Sequence, residues 1–513
     1  MEQSSGTGAV QKYLCKGIVI MKRRNFIATT AAAAGFTIVP RHVLGGIGYI
    51  APSDKLNVAC VGTGTQGTRV LLELLKIPDL QIVSVADPVK DDNRYQNWGE
   101  NELRNNIRRA IEEPGWDENV KGCRAGRDPA RQIIDTWYSK KRSDTFKACT
   151  AYEDFRELLE KETGIDAVVV GTPDHQHAQV AIKAMNKGKH VFCQKPMTNA
   201  VYEARLMAEV ATKTGVATQV ATANASSPQV DQLCELIWSG AIGPVREVYN
   251  WSNRPVWQTG FTRLPEEQKV PKGFNWDLWL GRAEYRPFSY DYTHTVFRSW
   301  FDFGTGALGD MGCYSFAAIY RALKLGDVSS VEASANTNVG IVNGNPQQIP
   351  YVSHPHAMNA HFVFPERAGM PKVDIYWVDG SMKFARPKEF IDDNLEFTPD
   401  GLLFVGDYGK IVCGFQGNNP RVLPLSRNNS MPKPPETIER SKGHYIDWIE
   451  ACKGGKKARC TFESAAPITE ALTLAIIAMR TGKRLTWDPV AFKTNNEDAN
   501  KLLKPYYRPG WEL

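Results

Sequence analysis

One stretch constrains this chain more than any other: KLNVACVGTGTQGTRVLLELLKIPDLQIVSVADP, from Lys55 to Pro88. Its short apolar run, Leu56 to Val61, reads as a buried strand. Gly62, Gly64 and Gly67 follow in the spacing G-x-G-x-x-G, and Val70, Leu71, Leu74 and Leu75 then fall on one face of a helix. A second apolar run, Leu80 to Ala86, ends at Asp87, 20 residues beyond Gly67. Strand, glycine triplet, helix, strand and terminal acid in this order predict a dinucleotide-binding unit. Gly62 permits the tight turn, Gly64 lets backbone approach a pyrophosphate, and Gly67 lets helix and strand pack closely. The helix start, at Thr65 and Gln66, offers unpaired N–H groups and a partial positive charge to phosphates. Asp87 is placed to accept hydrogen bonds from the adenosine ribose. A carboxylate there repels a 2′-phosphate and no arginine follows it directly, so NAD is expected rather than NADP.

The same alternation continues. Asp166 to Gly171 (DAVVVG) is a continuous apolar run of the kind buried in a parallel sheet. Pro173 stops it, Ala178 to Asn186 has helical spacing, and His190 to Cys193 forms the next strand, closed by Gln194-Lys195-Pro196. With Ala217 to Val220 as its last strand, this predicts a doubly wound Rossmann domain over residues 54–222. Asp91 to Lys147 is polar, with helical character around Leu103 to Ile111 and Pro129 to Tyr138, and reads as an insertion folded over that domain. From Val245 the composition turns β-branched and aromatic. Val245 to Trp251, Val331 to Asn338, Ala357 to Phe364, Lys372 to Val378 and Leu402 to Val405 read as strands, several alternating as a one-sided sheet does. The expected fold class is α/β. An N-terminal Rossmann domain precedes an α/β domain over residues 223–490, with a large open, mostly antiparallel sheet, and a tail covers 491–513.

Ahead of these, Lys22-Arg23-Arg24-Asn25-Phe26-Ile27 has the twin-arginine pattern, followed by small and apolar residues from Ala28 to Val39. Residues 1–53 therefore read as a Tat export signal and linker, with cleavage between Ala34 and Ala51 and a periplasmic or otherwise exported destination. The apolar run is too short and alanine-rich to span a membrane, so no stable insertion is expected. Because Tat systems export folded proteins, NAD is expected to travel tightly bound. A net charge of +6 over 513 residues, without a long basic run, argues against a nucleic-acid partner. The ten cysteines are scattered without a C-x-x-C pair and specify neither a disulfide framework nor a metal site.

From Lys55 to Pro489 the chain resembles the glucose–fructose oxidoreductase, inositol dehydrogenase and MocA (Gfo/Idh/MocA) family. The resemblance is carried by Gly62 to Gly67, the T-P-x-H-x-H run Thr172 to His177, Gln194-Lys195-Pro196 in place of the family's E-K-P, and GTGALGDMGCYS at Gly304 to Ser315. It implies an active site between the two domains, and a homo-oligomer formed through the open sheet. It also implies cofactor contacts from Thr172, Pro173, His177, Gln194 and Lys195. Carried over position by position, the family's catalytic lysine, aspartate and histidine fall on Lys195, Asp310 and Tyr314. Gln194 thus stands where the family has glutamate, and Tyr314 where it has histidine. Either the tyrosine takes the histidine's part, or the substrate chemistry differs, or the chain is a poor dehydrogenase.

Oxidising a secondary alcohol needs hydride transfer and removal of the hydroxyl proton. A phenol, with a reference pKa of about 10, becomes a useful base only if a cation lowers it. Lys195 supplies that cation if the two converge, and Asp310 orients hydroxyls or takes the proton. His175 and His177 follow a strand end; His177 either meets the nicotinamide side or substrate, or plays a structural, capping part. His354, His356 and His361 lack acidic or cysteine partners at metal-site spacing, so no metal is expected. Trp251, Arg254, Tyr292, His294, Arg298, Trp300 and Asp302 offer flat aromatics and charged edges suited to a carbohydrate ring, and Arg298 and Trp300 are taken as substrate contacts. The activity expected is an NAD-dependent oxidation at a secondary hydroxyl of a sugar, glycoside or cyclitol. An NAD-dependent glycoside hydrolase working by transient ring oxidation and elimination, and a non-catalytic sugar- or nucleotide-binding protein, are the alternatives.

Overall fold

The computed structural model describes residues 54–141, 148–367 and 369–513. The twin-arginine run, the apolar residues behind it and the expected cleavage region lie outside the described residues.

The Lys55 stretch forms β1 (Leu56–Val61), α1 (Thr65–Leu75) and β2 (Leu80–Ala86). The insertion that follows holds β3 (Asp92–Tyr95), α2 (Glu102–Ile111), β4 (Cys123–Ala125) and α3 (Arg127–Lys141). Leu103, Ile107 and Ile111, spaced four apart on one face of α2, join Ile133, Ile134 and Tyr138 of α3 in the core around Val70, Leu74 and Ile82. Then come β5 (Thr150–Tyr152), α4 (Phe155–Lys161), β6 (Ala167–Val170), α5 (His177–Asn186), β7 (His190–Cys193), α6 (Val201–Thr214) and β8 (Thr218–Val220). The six main strands form a sheet in the order β5-β2-β1-β6-β7-β8, parallel throughout. The chain starts in the middle and winds outward both ways, so the order reverses between β1 and β6. Their carboxyl ends open the crevice where such sheets bind ligands.

The second half opens with α7 (Pro228–Trp238), where Ser227 accepts the Gln229 N–H and proline takes the first turn. It continues through β9 (Val245–Trp251), α8 (Gly306–Leu323), β10 (Ser330–Ala335), β11 (Asn338–Val342), β12 (Asn345–Ile349), β13 (Met358–Phe364) and β14 (Val373–Val378). After β15 (Gly401–Gly406), β16 (Gly409–Cys413) and β17 (Arg421–Leu423) come α9 (His444–Cys452), α10 (Phe462–Thr481), β18 (Leu485–Asp488) and β19 (Lys493–Thr494). A nine-stranded sheet runs β17-β16-β15-β9-β14-β13-β10-β18-β19, in which only β9 and β14 are parallel neighbours. Its inner face packs Phe362, Phe364 and Ile375 against Phe316 of α8 and Leu472 of α10. The outer face carries Tyr249, Tyr376 and His361 as a partly exposed stack, with ring centroids 5.2 and 4.6 Å apart.

The division at residue 222 is crossed again late in the chain. Trp448 and Ile449 of α9, and Phe462, Ala465 and Ala466 of α10, enter the cores of the parallel-sheet domain. Residues 491–513, expected as a tail, are built in: β19 pairs with β18, and Gln179 Nε2 donates to the Trp511 carbonyl at 2.7 Å. Among the described residues α10 is the helix long and apolar enough to cross a membrane. It lies mostly buried against α6, with the Arg205–Glu470 ion pair at 2.7 Å between them.

Candidate active site

The glycine turn has the strain its role requires. Gly62 sits at φ +86°, and a Cβ there would lie 2.4 Å from the Thr172 nitrogen. A Cβ on Gly67 would lie 2.0 Å from the Gly62 carbonyl oxygen, so only glycine lets α1 lie this close to β1. Gly64 precedes α1 without a side-chain cap, leaving the N–H groups of the first turn to a ligand. Across the crevice Asp87 is buried. Its Oδ2 accepts the Thr63 N–H at 2.7 Å and its Oδ1 the Val89 N–H at 2.8 Å. Burial raises its pKa, and these hydrogen bonds with Arg127 oppose the rise. The Thr63 hydroxyl also donates to Oδ2, at 3.3 Å. A carboxylate has about four lone-pair sites, so one remains for a ribose, on Oδ1.

A cavity of about 320 Å³ runs from this cradle to α8. At its first end lie Gly62, Gly64, Thr65, Gln66 and Asp87. Thr172, Pro173 and Gln194 line the middle, and Lys195, Arg298, Asp310 and Tyr314 the far end. There Lys195 Nζ donates to Asp310 Oδ1 at 2.7 Å and to its carbonyl at 3.0 Å, while Arg298 Nε reaches the same Oδ1 at 3.0 Å. Burial alone would make the Asp310 carboxyl less acidic, but the two cations outweigh it and hold the group ionised, well below the usual carboxylate range. Burial likewise opposes charge on Lys195, and Asp310 prevails, keeping the ammonium protonated. Lys195 Nζ sits 4.9 Å above the centre of the Tyr314 ring, a cation–π arrangement. Burial raises the Tyr314 phenol and Lys195 does not bring it back down, so the expected cation-activated phenol is not what the site provides. Beside these groups Asp174 is pushed up to about 7 by burial.

Of the residues singled out from the sequence, Gly67 and His177 stand behind the cavity wall. His177 is wedged between the Thr172 and Pro196 carbonyls, each 2.8 Å from a ring nitrogen, and burial lowers it to about 4. It ties the loop after β6 to the loop after β7 and does not line the cavity, which corrects its reading as a cofactor contact. His175 is similarly buried, 3.2 Å from the Trp279 carbonyl. Trp300 is corrected as a substrate contact. It is 1% exposed, donates to the Asp291 carbonyl at 2.6 Å and stacks on Phe261 at 4.7 Å. Trp251 and Tyr292 are also core residues, and Asp302 pairs with Arg286 at the surface. Arg254 and His294 do line the cavity. His354 is buried against Gly304, whereas His361 lies on the outer sheet face between Glu332 and Asp374.

The sequence reading missed several wall residues. Tyr95 and Trp98 enter from the insertion, and Phe415 and Gln416 from the loop after β16. Arg127, 40 positions beyond Asp87, donates to the Asp87 carbonyl at 2.9 Å. Asp174 stands inside a recognised motif, directly after Pro173, and was legible there. A smaller recess beside Asp87 is walled by Pro88, Phe155, Leu278 and Trp511.

A doubly wound sheet with this cradle, opening into a cavity completed by a large-sheet domain, is the architecture of a dinucleotide-binding protein, and the residues present fit a nicotinamide dinucleotide. Residues 130–222 match a family model described as an oxidoreductase family, NAD-binding Rossmann fold, and residues 230–344 match its C-terminal alpha/beta domain. Over these stretches the chain is similar to the Gfo/Idh/MocA oxidoreductase family. It is similar to a scyllo-inositol 2-dehydrogenase (NAD(+)) of Bacillus subtilis strain 168, 35% identical over 111 residues, covering 22% of this chain and 29% of that one. A glycosyl hydrolase family 109 protein of Stenotrophomonas maltophilia is 30% identical over 176 residues, 34% of this chain and 29% of that one. The chain thus spans under a third of the length of these curated relatives. The crystal structure of an aldose-aldose oxidoreductase from Caulobacter crescentus shares the fold at a TM-score of 0.50 and 16% identity, over 84% of this chain and all of that one.

Proposed function

We propose that this chain is an NAD-dependent oxidoreductase acting on a secondary hydroxyl of a sugar, glycoside or cyclitol. The observation that carries the reading is the single cavity that joins the glycine cradle to the buried Lys195–Asp310–Arg298 cluster. A bound nicotinamide dinucleotide supplies the hydride acceptor there. The Asp87 carboxylate favours a free ribose over a 2′-phosphate, which supports NAD. Asp310 keeps Lys195 charged. The ammonium then donates a hydrogen bond to the reacting oxygen and stabilises negative charge developing on it. Arg298 holds the same Oδ1 of the Asp310 carboxylate, and Tyr314 gives the substrate an aromatic wall. The similarity to an NAD(+)-linked inositol dehydrogenase supports a polyol or sugar substrate.

A redox-neutral glycoside hydrolase is the second reading, favoured by the similarity to a glycosyl hydrolase family 109 protein. One experiment separates them. The purified protein is denatured and its nucleotide identified by mass spectrometry. The intact protein is then incubated with sugars, cyclitols and aryl glycosides while reduced-nicotinamide absorbance and aglycone release are followed together. A dehydrogenase accumulates the reduced band with a sugar or cyclitol; a hydrolase releases aglycone without it; neither signal in any mixture rejects both. Export through the Tat route rests on Arg23 and Arg24, and Arg23→Lys with Arg24→Lys is expected to abolish periplasmic recovery. Self-association is supported by the partly exposed Tyr249, Tyr376 and His361 face.

A further inference from the structure

The reading above leaves the hydroxyl proton without an acceptor. Asp310 is engaged at one oxygen by Lys195 and Arg298, 2.7 and 3.0 Å away, and is held too acidic to take a proton near neutrality. The Tyr314 phenol is displaced the other way, and Lys195 already carries its proton. His294 turns toward the insertion, its ring centroid 3.8 Å from that of Tyr95 and its Nε2 3.7 Å from Asp92.

Asp174 differs from all of these. It follows Pro173 at the carboxyl end of β6, is 3% exposed, and lines the cavity together with Lys195, Arg298, Asp310 and Tyr314. Its Oδ2 accepts the Thr305 hydroxyl at 3.0 Å. Among the described residues no hydrogen bond reaches its Oδ1 and no cation pairs with it, although Oδ1 is not sealed off from solvent. The groups facing it are Lys195 and Cys193 at the end of β7, Arg298 ahead of α8, and Asp310 and Cys313 within α8. Both thiols are buried and neutral, so two cations and one carboxylate act on it. Burial outweighs their surplus positive charge and leaves a carboxyl that titrates at about 7. A base is most effective when its pKa lies near the working pH.

We propose that Asp174 is the proton acceptor of the reaction, a role that rests on the dehydrogenase reading above. The substrate oxygen, held by Lys195, gives its proton to Asp174 Oδ1. The carbinol hydrogen leaves with its electron pair for the oxidised nicotinamide, and the carbon–oxygen bond becomes a carbonyl. The products are a ketone, the reduced dinucleotide and a neutral Asp174 carboxyl, which later releases its proton to water. Asp174 thereby fills the part that Tyr314, standing in the family's histidine position, does not.

Two measurements on the full chain test this. Infrared difference spectra between wild type and Asp174→Asn, titrated without substrate, are expected to show a protonated-carboxyl band that vanishes around pH 7. A band already gone at about pH 5, as for an ordinary carboxylate, overturns the proposal. With a sugar that reduces the bound dinucleotide, single-turnover hydride transfer should climb about tenfold per pH unit below 7 and level above it. Asp174→Asn is expected to lower the plateau at least about 100-fold and flatten the profile, whereas Asp174→Glu keeps the acid limb. Bound dinucleotide and melting temperature, measured on each variant, establish that it is folded and loaded. An active wild type with Asp174→Asn within threefold of it, or slowed with an unaltered profile, overturns the proposal alone. A wild type that oxidises no sugar or glycoside overturns the dehydrogenase reading and the proposal with it.

Discussion

Asp310 illustrates how much one buried oxygen can organise. Lys195 and Arg298 both converge on its Oδ1, and all three side chains are nearly dry, so none can lose its partner cheaply. Asp310→Asn is expected to destabilise the fold by about 3–5 kcal/mol, because two buried cations lose their counter-charge. Lys195→Met is expected to reduce hydride transfer by at least about 100-fold, while the cradle still retains dinucleotide. Urea unfolding checks the first and stopped-flow absorbance the second. Asp174 has the opposite linkage to an ion-paired acid. Its folded pKa, about 7, lies above the unfolded carboxyl's, so the native chain holds a proton the unfolded chain has released. Its contribution is fully present below pH 4 and is lost as pH rises toward 7. Asp174→Asn should therefore melt progressively higher relative to wild type between pH 5 and pH 8, in dinucleotide-free protein. Lys195 and Asp310 were reached through the likeness of their motifs to the family's, and the structure brings the two side chains to 2.7 Å. Trp300 was not legible, because a tryptophan in sequence gives no sign of which side of a loop it packs.

Among elements, the ones with a strong period were readable. β1, β2, β6 and β7 are predominantly apolar runs ending at turns, and β13 and β14 alternate along their length. β16 to β19 are two to five residues long, too short for any period, and exist because the neighbouring strand offers them hydrogen bonds. The insertion's helices were visible from their apolar faces, but not that its loop would carry Tyr95 and Trp98 back over the glycine turn. The junction of α1 with β1 gives the sharpest element-scale test. Gly67→Ala places a methyl 2.0 Å from the Gly62 oxygen, so α1 must move away from the strand. Dinucleotide affinity is expected to fall at least about tenfold, by calorimetry, with the circular dichroism spectrum retained.

At the scale of the whole molecule, the two sheets were legible as two domains and their interweaving was not. Periodicity describes each segment separately, and nothing in the run Phe462 to Thr481 says that it will serve both cores. Residues after 500 are a further case. Arg508 pairs with Asp277 at 2.5 Å, and Trp511 packs beneath the Arg156 guanidinium, 4.4 Å from its ring centre. Deleting residues 505–513 is expected to lower the melting temperature by several degrees and to leave the purified protein short of bound nucleotide, measured by its absorbance.

Trp511 also sets a clock on biosynthesis. The recess beside Asp87 is walled partly by a residue translated some 450 codons after the Gly62 turn. The nascent chain can pair β1 with β2 early, yet that recess lacks one of its walls while Trp511 is still inside the ribosome.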